Sequence, residues 1–469
     1  MESGAFEVLR NPDAVYQSCI DEDGSPILLT DVVVIGNGPS GLALSAFLAG
    51  WKPFYNKKSA HPSRVLHQKL LGHAETSLVD QELSCLEEYC AAEDGGRSAH
   101  PLSVLYDSLV RPDADLGHEH ASSLRWEHKT EQRVPHVVIG AGPPGGSWND
   151  YDDDIMPLSL STWLDLPGFG ISQWLGGQIL CARLPCLVIR KYFKAYPKHM
   201  GIRKNLLSYA TVTNVQKFID TDGRHMWDVR GNHVNGPFHF RCKKVVLATG
   251  LKSPRMLNLP GEAQNERVLH DLQPLKQAIF NDIACTVDVM SGVCSMKPVL
   301  VVGDGITAAD SVLHCLANNI PVIHLFRRSQ KEIKSTLLGR LSNSIYPEYQ
   351  SVVRLMVGRE VDALYQPMPQ SSVVAIDDAV AEVKSPSGET TVEFRYMVVC
   401  IGRRPDLHFL PSVSADLTAV HPLTYESPSA PGLYCVGPLA GDNFVRFLVG
   451  GCLGAARHII ASCASDDQI

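Results

Sequence analysis

The apolar residues of this chain come in short unbroken runs, and each run is closed by a glycine or another small residue. Val32-Val33-Val34-Ile35 runs into Gly36, Val137-Val138-Ile139 into Gly140, and Val245-Val246-Leu247 into Ala248-Thr249-Gly250. Val299-Leu300-Val301-Val302 runs into Gly303, and Met397-Val398-Val399 into Cys400-Ile401-Gly402. Apolar runs of this length without alternation predict strands buried on both faces, as in a parallel sheet covered by helices. Helix-forming sequence follows the first run up to residue 50 and the fourth over residues 309–319, and a last helix is predicted over 448–463. Between 59 and 132 the pattern degrades into Ser, His, Asp and Glu, with breakers at 93–98 and 111–115. That stretch predicts an insertion with short helices near 78–92 and 101–109, its charges forming a solvated face.

Two of the closing turns spell a fingerprint, Gly36-Asn37-Gly38-Pro39-Ser40-Gly41 and Gly303-Asp304-Gly305-Ile306-Thr307-Ala308. Glycines at this spacing let the backbone turn out of a strand, approach a pyrophosphate and aim a helix N-terminus at its charge. One such match is weak, but two about a domain apart point to two dinucleotides. The fold class is therefore α/β, with two Rossmann-like dinucleotide-binding domains and an insertion in the first.

The residues beyond each fingerprint tell the sites apart. The second strand after Gly303, Val322 to Phe326, ends in Arg327-Arg328. An acid there would hold a ribose 2′-hydroxyl, whereas guanidinium forks match a 2′-phosphate, so the pair argues for NADPH. The alternative is an arginine solvating a sheet edge. After the first fingerprint, residues 42–74 hold no Asp or Glu, and the strand candidate Lys52-Pro53-Phe54-Tyr55 ends at Asn56. Asn56 is the nearest acceptor for a ribose at this site, which is assigned to FAD.

Three further segments suit that flavin site. Gly145-Gly146-Ser147-Trp148 spells a loop that lets the backbone pass close to a ligand, with Trp148 either beside the cofactor or in the core. Thr249 lies in a small-residue crossover, and Asp442 lies at the start of the last helix, where it faces a ribityl chain. The domains are expected at 29–290 (FAD-binding, first part), 291–400 (NADPH-binding) and 401–469 (FAD-binding, C-terminal part).

The formal net charge of −8 gives no basic footprint for nucleic acid. No apolar stretch approaches a membrane span and the start is polar, so a cytoplasmic protein without a span is expected. The 13 cysteines are scattered, with no Cys-x-x-Cys and no zinc-type clustering, which suits structural thiols. Cys85/Cys90 and Cys181/Cys186 are nearer to helical spacing than to a redox loop. No metal site is expected.

In order, the two fingerprints, the Gly145-Gly146-Ser147-Trp148 loop, Ala248-Thr249-Gly250 and Gly402-Arg403-Arg404-Pro405 resemble the flavin-containing monooxygenase group. More narrowly, residues 158–168 and 436–447 resemble the oxidative-stress-induced growth inhibitor family. The resemblance implies FAD- and NADPH-dependent oxygenation of a small soft nucleophile, links to growth, differentiation and cytokinesis, and a midbody location. The monooxygenase fingerprint Phe-x-Gly-x-x-x-His survives only as His270, with Gln264 and Glu266 at its earlier positions. His270, Asn149 and Ser161 are the candidates near the ring, each with a structural alternative. The rival readings are a regulatory scaffold acting through protein partners and an NADPH oxidase releasing hydrogen peroxide.

Overall fold

A computed structural model describes residues 16–20, 26–84, 100–177, 181–286, 297–411 and 419–466. The chain divides into two compact units, Met1–Leu251 with Pro405–Ile469, and Lys252–Arg404.

In the first unit, β1 (Pro26–Ile35) leads through the glycine fingerprint into α1 (Pro39–Leu48). The next strand, β2 (Trp51–Tyr55), does not join the same sheet. It pairs antiparallel with β3 (Leu124–His128) in a separate ribbon. Pro53 has no amide to donate to a central ladder, and a two-stranded ribbon tolerates it. The chain returns to the main sheet at β4 (His136–Gly140), which lies parallel to β1, and continues it with β5 (Leu206–Ser208) beside β4. On the other side of β1 lies β8 (Gly236–Leu247), fed by the antiparallel strands β6 (Ala210–Ile219) and β7 (His225–His233). The strand Leu433–Cys435 adds in parallel to the end of β8.

The stretch expected as a solvated insertion is part of the core. Its helix α2 (Pro101–Val110) buries Leu102, Leu105, Tyr106 and Leu109, spaced as one helical face. That face meets the C-terminal helix Val445–Asp466, where a Cβ on Gly450 would stand 2.4 Å from the Leu102 carbonyl oxygen. Two of the stretch's charges, Asp107 and Arg111, are buried with it, while Arg64, Lys69, Glu75, Glu119 and Glu131 are exposed as expected. Asp107 takes Arg111 Nη1 at 3.0 Å and Arg446 Nε at 3.0 Å, while Arg446 also grips Asp115 through Nη1 at 3.1 Å and Nη2 at 3.0 Å. The Arg446 guanidinium lies 4.2 Å over Trp163. Of the helix expected near 78–92, residues 78–84 form turns and the rest lies outside the described residues.

The C-terminal helix also corrects the expectation about apolar stretches. Val445–Ala464 is long and apolar enough to cross a membrane by length and composition, but 67% of that window is buried inside the protein. Packing against α1 and α2 accounts for its apolar surface.

The second unit is built on a five-stranded parallel sheet. Its strands are β9 (Val268–Leu269), β10 (Val299–Val302), β11 (Val322–Phe326), β12 (Tyr365–Pro369) and β13 (Met397–Val399), in the order β9-β13-β10-β11-β12. Helix α4 (Ile306–Ala317) connects β10 to β11; α3 (Cys186–His199) belongs to the first unit. The unit starts at Lys252, earlier than the 291 expected, because β9 pairs with β13 and Ser253-Pro254 pairs with Arg403-Arg404.

Candidate functional sites: two glycine cradles

In the first unit three backbone segments meet where β1 ends. Gly36 has φ +115°, and a Cβ on it would stand 2.3 Å from the Ala248 carbonyl oxygen. A Cβ on Gly41 would stand 1.9 Å from the Gly36 carbonyl oxygen, and one on Gly146 (φ +56°) 2.8 Å from the Gly38 Cα. No side chain longer than hydrogen is admitted at these points, where main chain meets main chain. Helix α1 starts there with Gly38 as its N-cap, Pro39 in its first turn and no side-chain cap, which leaves its first amides available to an anion. Ser40 is buried against Gly437, where a Cβ would fall 2.1 Å from its Oγ.

The 140–149 loop is tied to the fingerprint and to itself by hydrogen bonds. Gly145 N donates to the Asn37 carbonyl at 3.0 Å, and Asn149 Nδ2 donates to the carbonyls of Gly146 at 3.0 Å and Pro143 at 3.1 Å. Trp148 packs edge-on against Phe193, with ring centroids 5.6 Å apart. Two buried acceptors at this site have no hydrogen-bond partner, Thr249 Oγ1 and Asn149 Oδ1. Orphaned buried polar atoms are costly unless a ligand completes them. The close main-chain approaches and the uncapped helix fit a dinucleotide pyrophosphate, to which the Thr249 hydroxyl can donate, while Asn149 Oδ1 fits a hydroxyl or N–H elsewhere on the ligand.

The other expected residues are placed differently. Asn56 ends β2, which is not the neighbour of β1, and its Oδ1 accepts from the Lys58 amide at 3.1 Å in a local turn. The strand that does neighbour β1 is β4, and it ends at Gly140. Asp442 is buried and turned into the protein: Oδ2 accepts from Tyr425 Oη at 2.9 Å, and Oδ1 stands 3.3 Å from His100 Nδ1. Ser161 Oγ donates to the carbonyls of Ala182 at 3.0 Å and Cys181 at 3.1 Å. Its hydroxyl ties two segments together. His270 belongs to the second unit, where its Nε2 stands 3.1 Å from Glu262 Oε1. Sequence reasoning did not single out Asn37, His100 or Tyr425, whose partners are distant in the chain.

The second unit repeats the cradle. Gly303 has φ +131°, and a Cβ on it would stand 2.2 Å from the Cys400 carbonyl oxygen. Helix α4 starts at the N-cap Gly305 without a side-chain cap, and a Cβ on Gly305 would meet open space. Ala308, third in the fingerprint, is buried in the first turn. Beneath the loop the buried His324 donates from Nε2 to the Gly303 carbonyl at 2.7 Å and accepts at Nδ1 from Tyr365 Oη at 2.8 Å. Burial lowers its pKa from the usual 6.5 to about 4, so it is neutral. At the end of β11, Arg327 is exposed, and Arg328 Nη1 is held by Asp304 Oδ2 at 2.5 Å.

The buried cysteines among the described residues are poor redox groups. Cys186, Cys242, Cys315, Cys400, Cys435, Cys452 and Cys463 are buried thiols outside any disulfide, and burial pushes Cys315, Cys400 and Cys435 up to about 12. Cys181 is exposed, while Cys186 is buried at the start of α3. Cys85 and Cys90 lie outside the described residues.

The model of the pyridine nucleotide-disulphide oxidoreductase family matches residues 187–437. A Caenorhabditis elegans oxidative stress induced growth inhibitor homolog is 39% identical over 93% of this chain and 96% of its own. Human oxidative stress-induced growth inhibitor 1 is 34% identical over 92% of this chain and 94% of its own. Among solved structures, the bacillithiol disulfide reductase of Bacillus cereus superposes with a TM-score of 0.59 at 16% identity, over 92% of this chain and 99% of that one. The ornithine N-hydroxylase of Kutzneria sp. 744, in complex with reduced FAD, NADP+ and L-ornithine, gives 0.54 at 13% identity, over 94% and 100%.

Proposed function

The chain belongs to the oxidative stress-induced growth inhibitor family and to the pyridine nucleotide-disulphide oxidoreductases, and from that premise we propose that it is an FAD- and NADPH-dependent oxidoreductase of monooxygenase type. The observation that carries this is the pair of cradles, one at the end of β1 and one at the end of β10, each closed to side chains by a glycine at positive φ. FAD, when bound, supplies hydride acceptance from NADPH and reaction with dioxygen.

The chain's own residues bind and orient. Gly36, Gly38 and Gly41, with Pro39 and Ser40 opening α1, take the FAD pyrophosphate; Gly145 and Gly146 shape the loop that Asn149 holds, Trp148 backs it, and Thr249 offers its orphaned hydroxyl. Gly303, Gly305 and Ala308 take the NADPH pyrophosphate, and Arg327 with Arg328 takes the 2′-phosphate. The buried, high-pKa thiols favour this reading over dithiol exchange within the described residues. The names of the relatives support a use in growth control under oxidative stress, and differentiation and cytokinesis are proposed as its settings.

A second reading, release of hydrogen peroxide from NADPH and dioxygen, is favoured by one observation. Asn149 and Ser161 spend their donors on backbone carbonyls, and His270 is paired with Glu262, so none of the three stands ready as an acid or base. The test is NADPH consumption by the purified protein, with hydrogen peroxide yield measured with and without thioether and amine substrates. Peroxide that falls as oxygenated product rises supports the monooxygenase. Undiminished peroxide with every substrate supports the oxidase, and no NADPH consumption with FAD present rejects both.

A further inference from the structure

Two neighbouring oddities in the first cradle explain each other. In a Rossmann unit the strand beside the fingerprint strand ends in an acid that binds the adenosine ribose. Here that strand is β4, in register with β1 from Val32 opposite His136 to Ile35 opposite Ile139, and the residue at its end is Gly140. Gly140 is not demanded by its backbone, which does not adopt positive φ. It is demanded by Asn37: a Cβ on Gly140 would stand 2.0 Å from the Asn37 Cγ, 2.1 Å from its Nδ2 and 2.4 Å from its Oδ1. The amide of Asn37, inside the fingerprint, thus occupies the space where the side chain of residue 140 would begin.

That amide is fixed in place. Asn37 is only 4% exposed, its Nδ2 donates to the Gly142 carbonyl at 2.8 Å, and its own carbonyl receives the Gly145 amide at 3.0 Å. With Nδ2 occupied, Oδ1 remains an acceptor with no hydrogen-bond partner among the described residues. We propose that Asn37 Oδ1 replaces the missing carboxylate as the acceptor for a hydroxyl of the FAD adenosine ribose, an inference that rests on the FAD reading above. A neutral amide oxygen accepts a weaker hydrogen bond than a carboxylate, about half as strong. The site therefore recognises the same ribose without a charge, at lower affinity.

The experiment is titration of the flavin-free full-length protein with FAD and, in parallel, with FMN, which lacks the adenosine ribose, by quenching of flavin fluorescence. Asn37→Ala is expected to raise the Kd for FAD about five- to tenfold, one neutral hydrogen bond, and to leave FMN unchanged. Gly140→Ala, which drives a methyl into the Asn37 amide, is expected to do the same. Asn37→Gly combined with Gly140→Glu restores a carboxylate and is expected to bind FAD more tightly than wild type. Equal loss of FAD and FMN overturns the proposal, because Asn37 then only shapes the loop. Unchanged FAD affinity in both single variants also overturns it while leaving the flavoprotein reading intact. Wild-type protein that takes up no FAD overturns that reading and this one together.

Discussion

Arg328 at the end of β11 is ion-paired with Asp304 in the glycine loop, Nη1 to Oδ2 at 2.5 Å, and both it and its neighbour Arg327 are exposed. The two arginines are therefore unequal. Arg328 braces the loop, and Arg327 is the guanidinium without such a tie. Arg327→Ala should raise the Kd for NADPH roughly ten- to a hundredfold, the size of a lost hydrogen bond to a charged group, and leave NADH almost unchanged. Asp304→Asn should release Arg328 and strengthen the preference for NADPH. Binding titrations with both nucleotides check each outcome.

Gly41→Ala and Gly146→Ala push a methyl into main chain at 1.9 Å and 2.8 Å. Neither neighbour can rotate away, so flavin content should fall to near zero in both. Gly72→Ala, with open space around its Cβ, should retain wild-type flavin. The ratio of flavin absorbance to protein absorbance in purified samples decides it.

Acid should weaken the fold through two buried histidines. His136 donates to the Val134 carbonyl at 2.8 Å and accepts from Ser45 Oγ at 2.8 Å, and burial lowers its pKa to about 4, as it does for His324. Both are depressed below the unfolded value, so the unfolded chain binds more protons between about pH 6.5 and about pH 4. Their stabilisation is complete above that window and is lost as pH falls through it, by roughly 3 kcal/mol each at most. Urea unfolding at a series of pH values should show this decline, and His324→Gln should flatten it.

Removing one partner of the buried cluster on α2 should be severe. Arg446→Met leaves the buried Asp107 with Arg111 as its remaining guanidinium, and should cost about 3 kcal/mol of stability. Lys57→Ala, which breaks the exposed pair with Glu75, should leave the melting temperature unchanged. Thermal unfolding of the two variants gives the contrast.

These contrasts mark what could be read from sequence. The glycine loops are local, so Gly36 to Gly41, Gly303 to Ala308 and the strands before them were legible from a dozen residues each. The second parallel strand was not. The acid is sought about 20 residues past a fingerprint, but the ribbon of β2 and β3 and helix α2 come between α1 and β4, and the search ended at Asn56 instead of Gly140. The polar stretch read as solvated because Asp107 meets Arg446 across 339 positions, a pairing no local window contains. Asp442 meets His100 across 342 positions, out of reach for the same reason.

Everything proposed for this chain requires that it hold both a flavin and its nicotinamide reductant. The decisive observation is the visible spectrum of the purified protein, reconstituted with FAD if needed, during anaerobic addition of NADPH. A bound flavin band should bleach on addition and return when air is admitted. A protein that retains no flavin, or a bound flavin that NADPH leaves oxidised, would contradict the proposal.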